Sequence, residues 1–221
     1  MTYSGSKTYR DVKTIILNTS PFEDQILSIN TLARNLQISP IPVREALFQL
    51  AARGIITFHQ NRGFSVQQIN HTDLISAYNT IFAIILDAVD QQGDFELALM
   101  AKKARVLDGG HETSESGKSV ADSYEHRIRT LSQLVCNQAN QEVLGILFDR
   151  TERFRRSSLL HRSDVVESMD MLDRIETAMQ GANPDGIRRH LKTYRAYRKE
   201  RLLDEVVIIM NADAPQFVSV V

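Results

Sequence analysis

The segment from residue 39 to residue 66 constrains the fold of this chain more than any other part of the sequence. It begins with SPIPVREAL at residues 39–47, where a Ser that can accept from the free N–H groups of a first helical turn is followed by Pro, which needs no donor there. Apolar residues then recur at helical spacing, which indicates one buried face: Val43, Ala46, Leu47 and Leu50. The pattern predicts a helix that begins after Ser39, ends at Gly54 and carries Arg44 in its first turns.

Elements on both sides of this helix complete a larger unit. Residues 27–36 (LSINTLARNL) combine a capping residue with an apolar stripe and precede a short turn, as the first helix of a helix-turn-helix does. Residues 55–58 are β-branched or aromatic, and residues 61–63 (NRG) offer a tight turn before another apolar run. Each element alone is common in ordinary cores, but their order and spacing predict a winged helix-turn-helix that binds nucleic acid. Arg44 would then reach base edges or phosphates in a major groove.

This segment resembles the winged-helix domain of GntR-type bacterial transcription regulators, from about residue 9 to residue 69. The family's recognition helix reads S-R-x-P-V-R-E-A-L and ends in Gly, with a later R-G in the wing. The matching positions here are Ser39, Pro42, Val43, Arg44, Glu45, Ala46, Leu47, Gly54, Arg62 and Gly63. The family's usual Arg after the Ser is Pro40, so one expected DNA-contacting guanidinium is missing. The DNA-binding residues that the resemblance implies are Asn30, Arg34, Ser39, Pro40, Ile41, Arg44, Gln60, Asn61, Arg62 and Gly63.

Length, charge and cysteine content indicate a two-part protein of the cytoplasm. The 221 residues exceed one winged-helix unit, and residues 1–70 carry a net charge of +3 against −1 for the whole chain. The single cysteine, Cys136, permits no internal disulfide and suits a reducing compartment. No apolar run approaches the length of about 18 residues that a membrane helix needs, and the N-terminus lacks the layout of a signal peptide. The sequence therefore predicts neither export nor a membrane partner.

Beyond residue 70 the pattern changes to long helical periodicity. A first apolar helix follows Asn70 and stops at Gly93. Further helices are expected at about 94–107, 118–137, 140–161, 164–181 and 184–208, with one clear loop over 108–117. The predicted fold class is mainly α, with an N-terminal winged helix-turn-helix and small β-wing over 1–70 and a C-terminal all-α bundle for effector binding and dimerisation over 71–210. An apolar tail occupies 211–221.

The helical part resembles, more weakly, the effector domain (FCD domain) of the FadR/VanR-like branch, nearer to the shorter VanR form. Many members of that branch hold a divalent metal with an Asp and a His four residues apart and a His on each of two later helices. Asp122 and His126 have the first spacing, but the later ligand positions fall on Leu172 and Tyr194 in one register and on Ser168 and His190 in another. Because the middle His is absent in both registers, the sequence favours no metal cofactor; the candidate ligands are Asp122, His126 and His190.

Without a metal, an anionic effector would need a guanidinium. Arg150 and Arg153 lie on an arginine-rich helix, and Tyr194 and His126 are further candidate effector ligands. The other interpretation is that the arginines lie on a solvated helix face and that Tyr194 is a core residue.

The sequence contains no Gly-rich phosphate loop, no H-E-x-x-H and no G-x-S-x-G, so an enzyme is not predicted.

These features predict a regulator that binds double-stranded DNA. It would bind a palindromic operator as a homodimer joined through its helical domain. A repressor relieved by a small organic acid or acyl-type effector is the preferred form. The alternative is a DNA-bound dimerisation scaffold that has lost effector sensing, which is motivated by the incomplete metal set and the apolar residues 206–210 and 217–221.

Overall fold

The computed structural model describes residues 3–21, 24–108, 120–161 and 165–213. In chain order the elements are α1 (Tyr3–Leu17), β1 (Gln25–Leu27), α2 (Ile29–Leu36), α3 (Pro40–Ala52), β2 (Thr57–His59), β3 (Gly63–Val66), α4 (His71–Asp90), α5 (Asp94–Asp108), α6 (Val120–Val135), α7 (Gln138–His161), α8 (Val165–Gln180) and α9 (Pro184–Asp213). The predicted fold class is confirmed, since a winged helix-turn-helix precedes an all-helical part.

The N-terminal part has its own hydrophobic core, built from α1, α2, α3 and a small antiparallel sheet. The strand order is β1-β3-β2, with Ile26 opposite Ser65 and Phe58 opposite Phe64. The predicted recognition helix and wing hairpin are therefore present, although β2 begins at Thr57 rather than residue 55. Strand β1 was not predicted, because a three-residue strand carries too little periodicity to be recognised.

Helix α2 lies within the segment 27–36 that the sequence indicates, and it begins at Ile29 after a capping residue. Ser28 is the N-cap residue, and its hydroxyl accepts from the backbone N–H of Thr31 at 3.2 Å. Ser39 is the N-cap residue of α3, but its side chain makes no capping hydrogen bond, contrary to the prediction. Since Pro42 occupies the third helical position, one of the two backbone N–H groups that an N-cap side chain commonly binds is missing there.

The C-terminal part is a bundle of helices α4 to α9 around a second hydrophobic core. These helices follow the predicted ranges closely, except that α9 continues to Asp213, so the first residues assigned to the apolar tail are helical. Most of the predicted loop over 108–117 and tail residues 217–221 lie outside the described residues. The boundary at residue 70 falls between the last strand and α4, and the division into 1–70, 71–210 and 211–221 stays a prediction.

Helix α4 supplies much of the second core. It packs against α7 and α9 and buries Leu74, Ile81 and Val89. By length and composition alone this helix could cross a membrane, with a mean hydropathy of 1.3. A buried core helix passes the same test, so one such helix is weak evidence for a membrane span.

Candidate nucleic-acid interface

The recognition helix α3 presents two chemically different faces. Val43 and Leu50 are fully buried against the first core, which fixes the orientation of the helix. Pro40, Ile41 and Arg44 lie exposed on the outer side, and Ile41 is 70% exposed. The Arg44 guanidinium has no hydrogen-bond or ion-pair partner among the residues that the structure describes. The first turns of α3 therefore offer an unpaired cation and an apolar surface to a partner.

Helix α2 and the wing extend this exposed surface. Asn30 and Arg34 lie exposed on α2, where Arg34 Nη2 donates to Thr31 Oγ1 at 3.3 Å. Residues 60–62 form the exposed turn between β2 and β3. Gly63 ends that turn with a φ of +79°, a conformation that favours glycine although a Cβ there would meet no neighbouring atom. The predicted DNA-binding residues lie on α2, α3 and the wing, and all except the half-buried Gly63 are exposed.

An aromatic cluster joins the wing to the recognition helix. The ring centroids of Phe48 on α3, Phe58 on β2 and Phe64 on β3 are each 5.0 Å from one another. Phe64 is buried, while Phe48 and Phe58 are 46% and 45% exposed. Aromatic pairs at this distance attract one another beyond their buried area. Sequence reasoning missed this cluster, although Phe48 is an aromatic residue outside the predicted apolar stripe of α3.

The end of the recognition helix is attached to the helical bundle by ion pairs around Asp149 of α7. Arg53 Nε donates to Asp149 Oδ2 at 2.7 Å, and Lys13 Nζ of α1 lies 3.1 Å from Oδ1. Arg129 Nη2 of α6 donates to Asp149 Oδ1 at 3.0 Å and to Glu152 Oε2 at 3.0 Å. We call these five residues the Asp149 cluster. Because Asp149 is 2% exposed, water screens these attractions weakly, and the cluster fixes the winged helix against the bundle.

In the sequence, only the positive net charge of residues 1–70 and the negative net charge of the remainder indicate this cluster, and they do so indirectly. Lys13 contacts both acids, with its Nζ 2.8 Å from Glu152 Oε2. Arg53, at the C-terminal end of α3, pairs with Asp149 of the bundle. It was not among the predicted DNA-binding residues.

The pH dependence of stability should report on this cluster. Burial alone would raise the pKa of Glu152, but the charges of Lys13, Arg129 and Arg155 outweigh it and lower this pKa to about 2. The stability that ionised Glu152 contributes is therefore present above the unfolded carboxyl pKa of about 4.3 and is lost as the pH falls towards 2. We expect Glu152→Gln to lower the melting temperature by several degrees at about pH 6 and by much less at about pH 2.5.

Melting temperatures of both proteins across this pH range test that expectation. A difference between wild type and Glu152→Gln that stays constant from about pH 6 to pH 2.5 would mean that Glu152 is not held ionised by its neighbours.

The predicted effector ligands do not come together in one site. Tyr194 is buried in the bundle, where its hydroxyl is hydrogen-bonded to that of Tyr124, and burial raises its pKa well above the ordinary value. It lines a cavity of about 40 Å³, which also contacts Arg155. Arg153 instead lies between the bundle and the winged helix, where Nη2 donates to the carbonyls of Pro21 and Gln67.

Arg150 and His126 are also outside the bundle cavity. Both side chains are exposed, and a Cβ added at Gly54 would lie 2.8 Å from Nε of Arg150. The arginine that does line the cavity, Arg155, was not selected from the sequence. No local signal distinguishes it from its neighbours in the run Arg153, Arg155 and Arg156.

The candidate metal ligands are likewise dispersed or paired. Arg156 Nη2 donates to Asp122 Oδ1 at 2.7 Å, and His126 is exposed on the same helix as Asp122. Within residues 3–21, 24–108, 120–161 and 165–213, no group of three or more His, Cys, Asp or Glu side chains could hold a metal ion. Of the alternative ligand positions, Ser168, Leu172 and Tyr194 are buried and His190 is half-buried.

Comparison with known proteins agrees with this geometry. Residues 5–66 match the family described as bacterial regulatory proteins, gntR family. The N-terminal part is therefore similar to a GntR-type DNA-binding domain. The HTH-type transcriptional repressor GlaR of Escherichia coli (strain K12) is 23% identical over 222 residues, which cover 97% of this chain and 99% of the relative.

Solved structures share the fold over nearly the whole chain. A transcriptional regulator GntR from Rhodococcus sp. RHA1 has a TM-score of 0.65 at 16% identity and covers 92% of this chain and 99% of its own. McbR/YncC of E. coli has a TM-score of 0.60 at 16% identity and covers 93% of this chain and 100% of its own. These solved structures show a shared fold, and the family match over residues 5–66 shows that the N-terminal part is similar to the DNA-binding domain of gntR-family regulators.

Proposed function

We propose that this protein is a cytoplasmic repressor that binds a palindromic operator as a homodimer, with dimer contacts in the helical domain. The observation that supports this most is the unpaired Arg44 on the exposed first turns of α3, beside exposed Ile41. A guanidinium can bind guanine bidentately in the major groove, and an apolar side chain can contact the thymine methyl group. Arg62 at the wing tip would contact a phosphate or the adjacent minor groove.

Repression is proposed because the related GlaR is named a transcriptional repressor. In a two-fold symmetric dimer the two recognition helices would address half-sites about 34 Å apart, or less if both enter one groove region. The Asp149 cluster supports this geometry, since a winged helix held against its bundle gives the dimer a defined spacing of recognition helices.

The helical domain is proposed to belong to the FadR/VanR-like branch and to bind a small organic acid or acyl-type effector. Tyr124, Tyr194 and Arg155 line its cavity and supply hydrogen-bonding groups. An effector would shift the equilibrium towards a dimer geometry whose recognition helices no longer match the operator. A cavity of about 40 Å³ has to open before an organic acid can enter.

The alternative function, a DNA-bound scaffold without effector sensing, is favoured by the small volume of the cavity and by Glu125, which already neutralises Arg155. A thermal-shift screen with organic acids and acyl thioesters distinguishes the two functions. A rise in melting temperature for one chemical class supports sensing, whereas no rise in any class supports the scaffold.

The experiment that tests DNA binding is selection of bound duplexes from a random pool at a low and a high salt concentration. We expect a short palindrome that is still selected at high salt. Phosphate contacts weaken as the salt concentration rises, whereas contacts to bases retain the preference for one sequence. Binding without a consensus that fades steeply with salt would contradict operator recognition. Sedimentation of the complex with the selected duplex then gives the number of chains bound per operator.

A further inference from the structure

A large cleft in the described part of the molecule lies between the two domains. Its volume is about 880 Å³, and it is open to solvent. One wall is formed by the end of α3 and by β2, and the others by residues 67–70, the first turns of α4 and the middle of α7. Ligand pockets typically occupy about 300–1,000 Å³. This cleft is therefore large enough for a small molecule, whereas the bundle cavity is not.

Arg153 of α7 lines this cleft and carries an unusual buried charge. The residue is 6% exposed, and among the described residues its Nη2 donates to the backbone carbonyls of Pro21 and Gln67, not to a carboxylate. Its Nη1 has no hydrogen-bond partner in the part of the chain that the structure describes. A buried guanidinium without a counter-charge is costly, because the attraction that would offset its desolvation is missing.

Two other buried arginines show how this chain normally satisfies such a charge. Arg155 Nη2 donates to Glu125 Oε2 at 2.7 Å, and Arg198 Nη1 donates to Glu205 Oε1 at 2.9 Å. Burial lowers the pKa of Arg153 to about 10, so the group is still protonated at neutral pH. Asp24 attracts Arg153, but its Oδ1 already accepts from the Gln68 N–H at 2.9 Å and the residue is exposed.

We propose that the interdomain cleft is a binding site for a small anion, a carboxylate or a phosphate compound, whose charged group pairs with Arg153. Arg150, exposed at the same cleft, supplies a second positive charge. Thr57, Gln67, Asn70 and Thr80 also line the cleft and provide polar groups for the rest of the ligand. The site is distinct from the bundle cavity that Tyr194 lines.

A ligand in this cleft would contact the DNA-binding domain and the bundle at once. Gly54 and Thr57 on one side and Arg153 on the other belong to different domains. Binding would therefore stabilise the present arrangement of the domains over any other. This regulatory consequence rests on the proposed function, whereas anion binding itself does not.

The test measures the melting temperature of the full chain with separate anions against sodium chloride of equal ionic strength. The probes are inorganic phosphate and glucose 6-phosphate in one arm, and acetate, succinate and citrate in the other. We expect at least one arm to raise the melting temperature by about 3 °C or more at ten times its Kd, and the active arm identifies the anion class. No rise above the chloride control in either arm would overturn the proposal.

Two variants locate the site. Arg153→Met should weaken calorimetric binding of the active anion about tenfold or more, while Arg174→Met, which removes an exposed arginine paired with Asp170, should leave it unchanged. If Arg153→Met does not fold, Arg150→Met replaces it, with a smaller loss expected. Retained affinity in the folded cleft variant would overturn the assignment. Operator binding by wild type is measured separately, so a failure to bind DNA would contradict the proposed function without affecting this result.

Discussion

Glu125→Gln is expected to lower the free energy of unfolding of the helical domain by about 3–5 kcal/mol. Glu125 accepts from Arg155 Nε at 2.5 Å and from Nη2 at 2.7 Å, and both residues are almost fully buried. The variant keeps the shape of the side chain but removes its charge, so the Arg155 guanidinium stays buried without a counter-ion. Urea unfolding of the full chain, followed by circular dichroism, measures the loss.

Two further variants separate the charge effect from a general effect of mutation. Glu142→Gln changes an exposed glutamate of α7 in the same way and should shift stability by less than about 0.5 kcal/mol. The double variant Glu125→Leu with Arg155→Met replaces the whole pair by apolar side chains and should recover most of the stability. A loss of under about 1 kcal/mol in Glu125→Gln would mean that the pair contributes little.

Arg44→Ala is expected to weaken binding to the selected operator by about 1–3 kcal/mol, or about 5- to 150-fold in Kd. The guanidinium is exposed on the first turns of α3 and has no described partner, so its removal should leave the fold intact. Fluorescence anisotropy with the selected duplex measures the change in affinity, and thermal unfolding checks stability.

The matched control is Lys7→Ala, which removes one exposed positive charge from α1 of the same domain. If Arg44 contacts a base, Lys7→Ala should reduce the affinity for the operator much less than Arg44→Ala does. Relaxed preference at one operator position in Arg44→Ala would identify base readout. A uniform loss across sequences with a salt slope reduced by about one would identify a phosphate contact. Equal effects of the two substitutions would contradict a specific role for Arg44.

Local patterns predicted most of the fold. The recognition helix, the wing turn and the long helices are encoded by spacing, capping and turn residues within a few positions of each other. The exposed positions of Arg34, Arg44 and Arg62 follow from the same periodicity. The three-residue strand β1 escaped prediction because its pairing with β3 joins residues that lie far apart in the sequence.

The partners of the charged residues could not be predicted, because long-range packing decides them. Arg53 and Asp149 are 96 residues apart, and Lys13 and Asp149 are 136 apart. Helical periodicity shows which arginines lie outside the apolar face of their own helix. It does not show which of these arginines contact the other domain. For the same reason Arg153 was grouped with effector ligands of the bundle, although its side chain lies in the interdomain contact.

The Asp149 cluster also bears on how such regulators can be recombined. A chimera that joins a different winged helix to these helices inherits Asp149 and Glu152, but it keeps their counter-charges only if its own sequence places cations where Lys13 and Arg53 stand. A donor domain with neutral residues at those positions would leave two buried carboxylates short of partners and would dock in a different orientation. Compatibility between a winged helix and this helical bundle therefore depends on two side chains that lie outside the proposed DNA-binding surface.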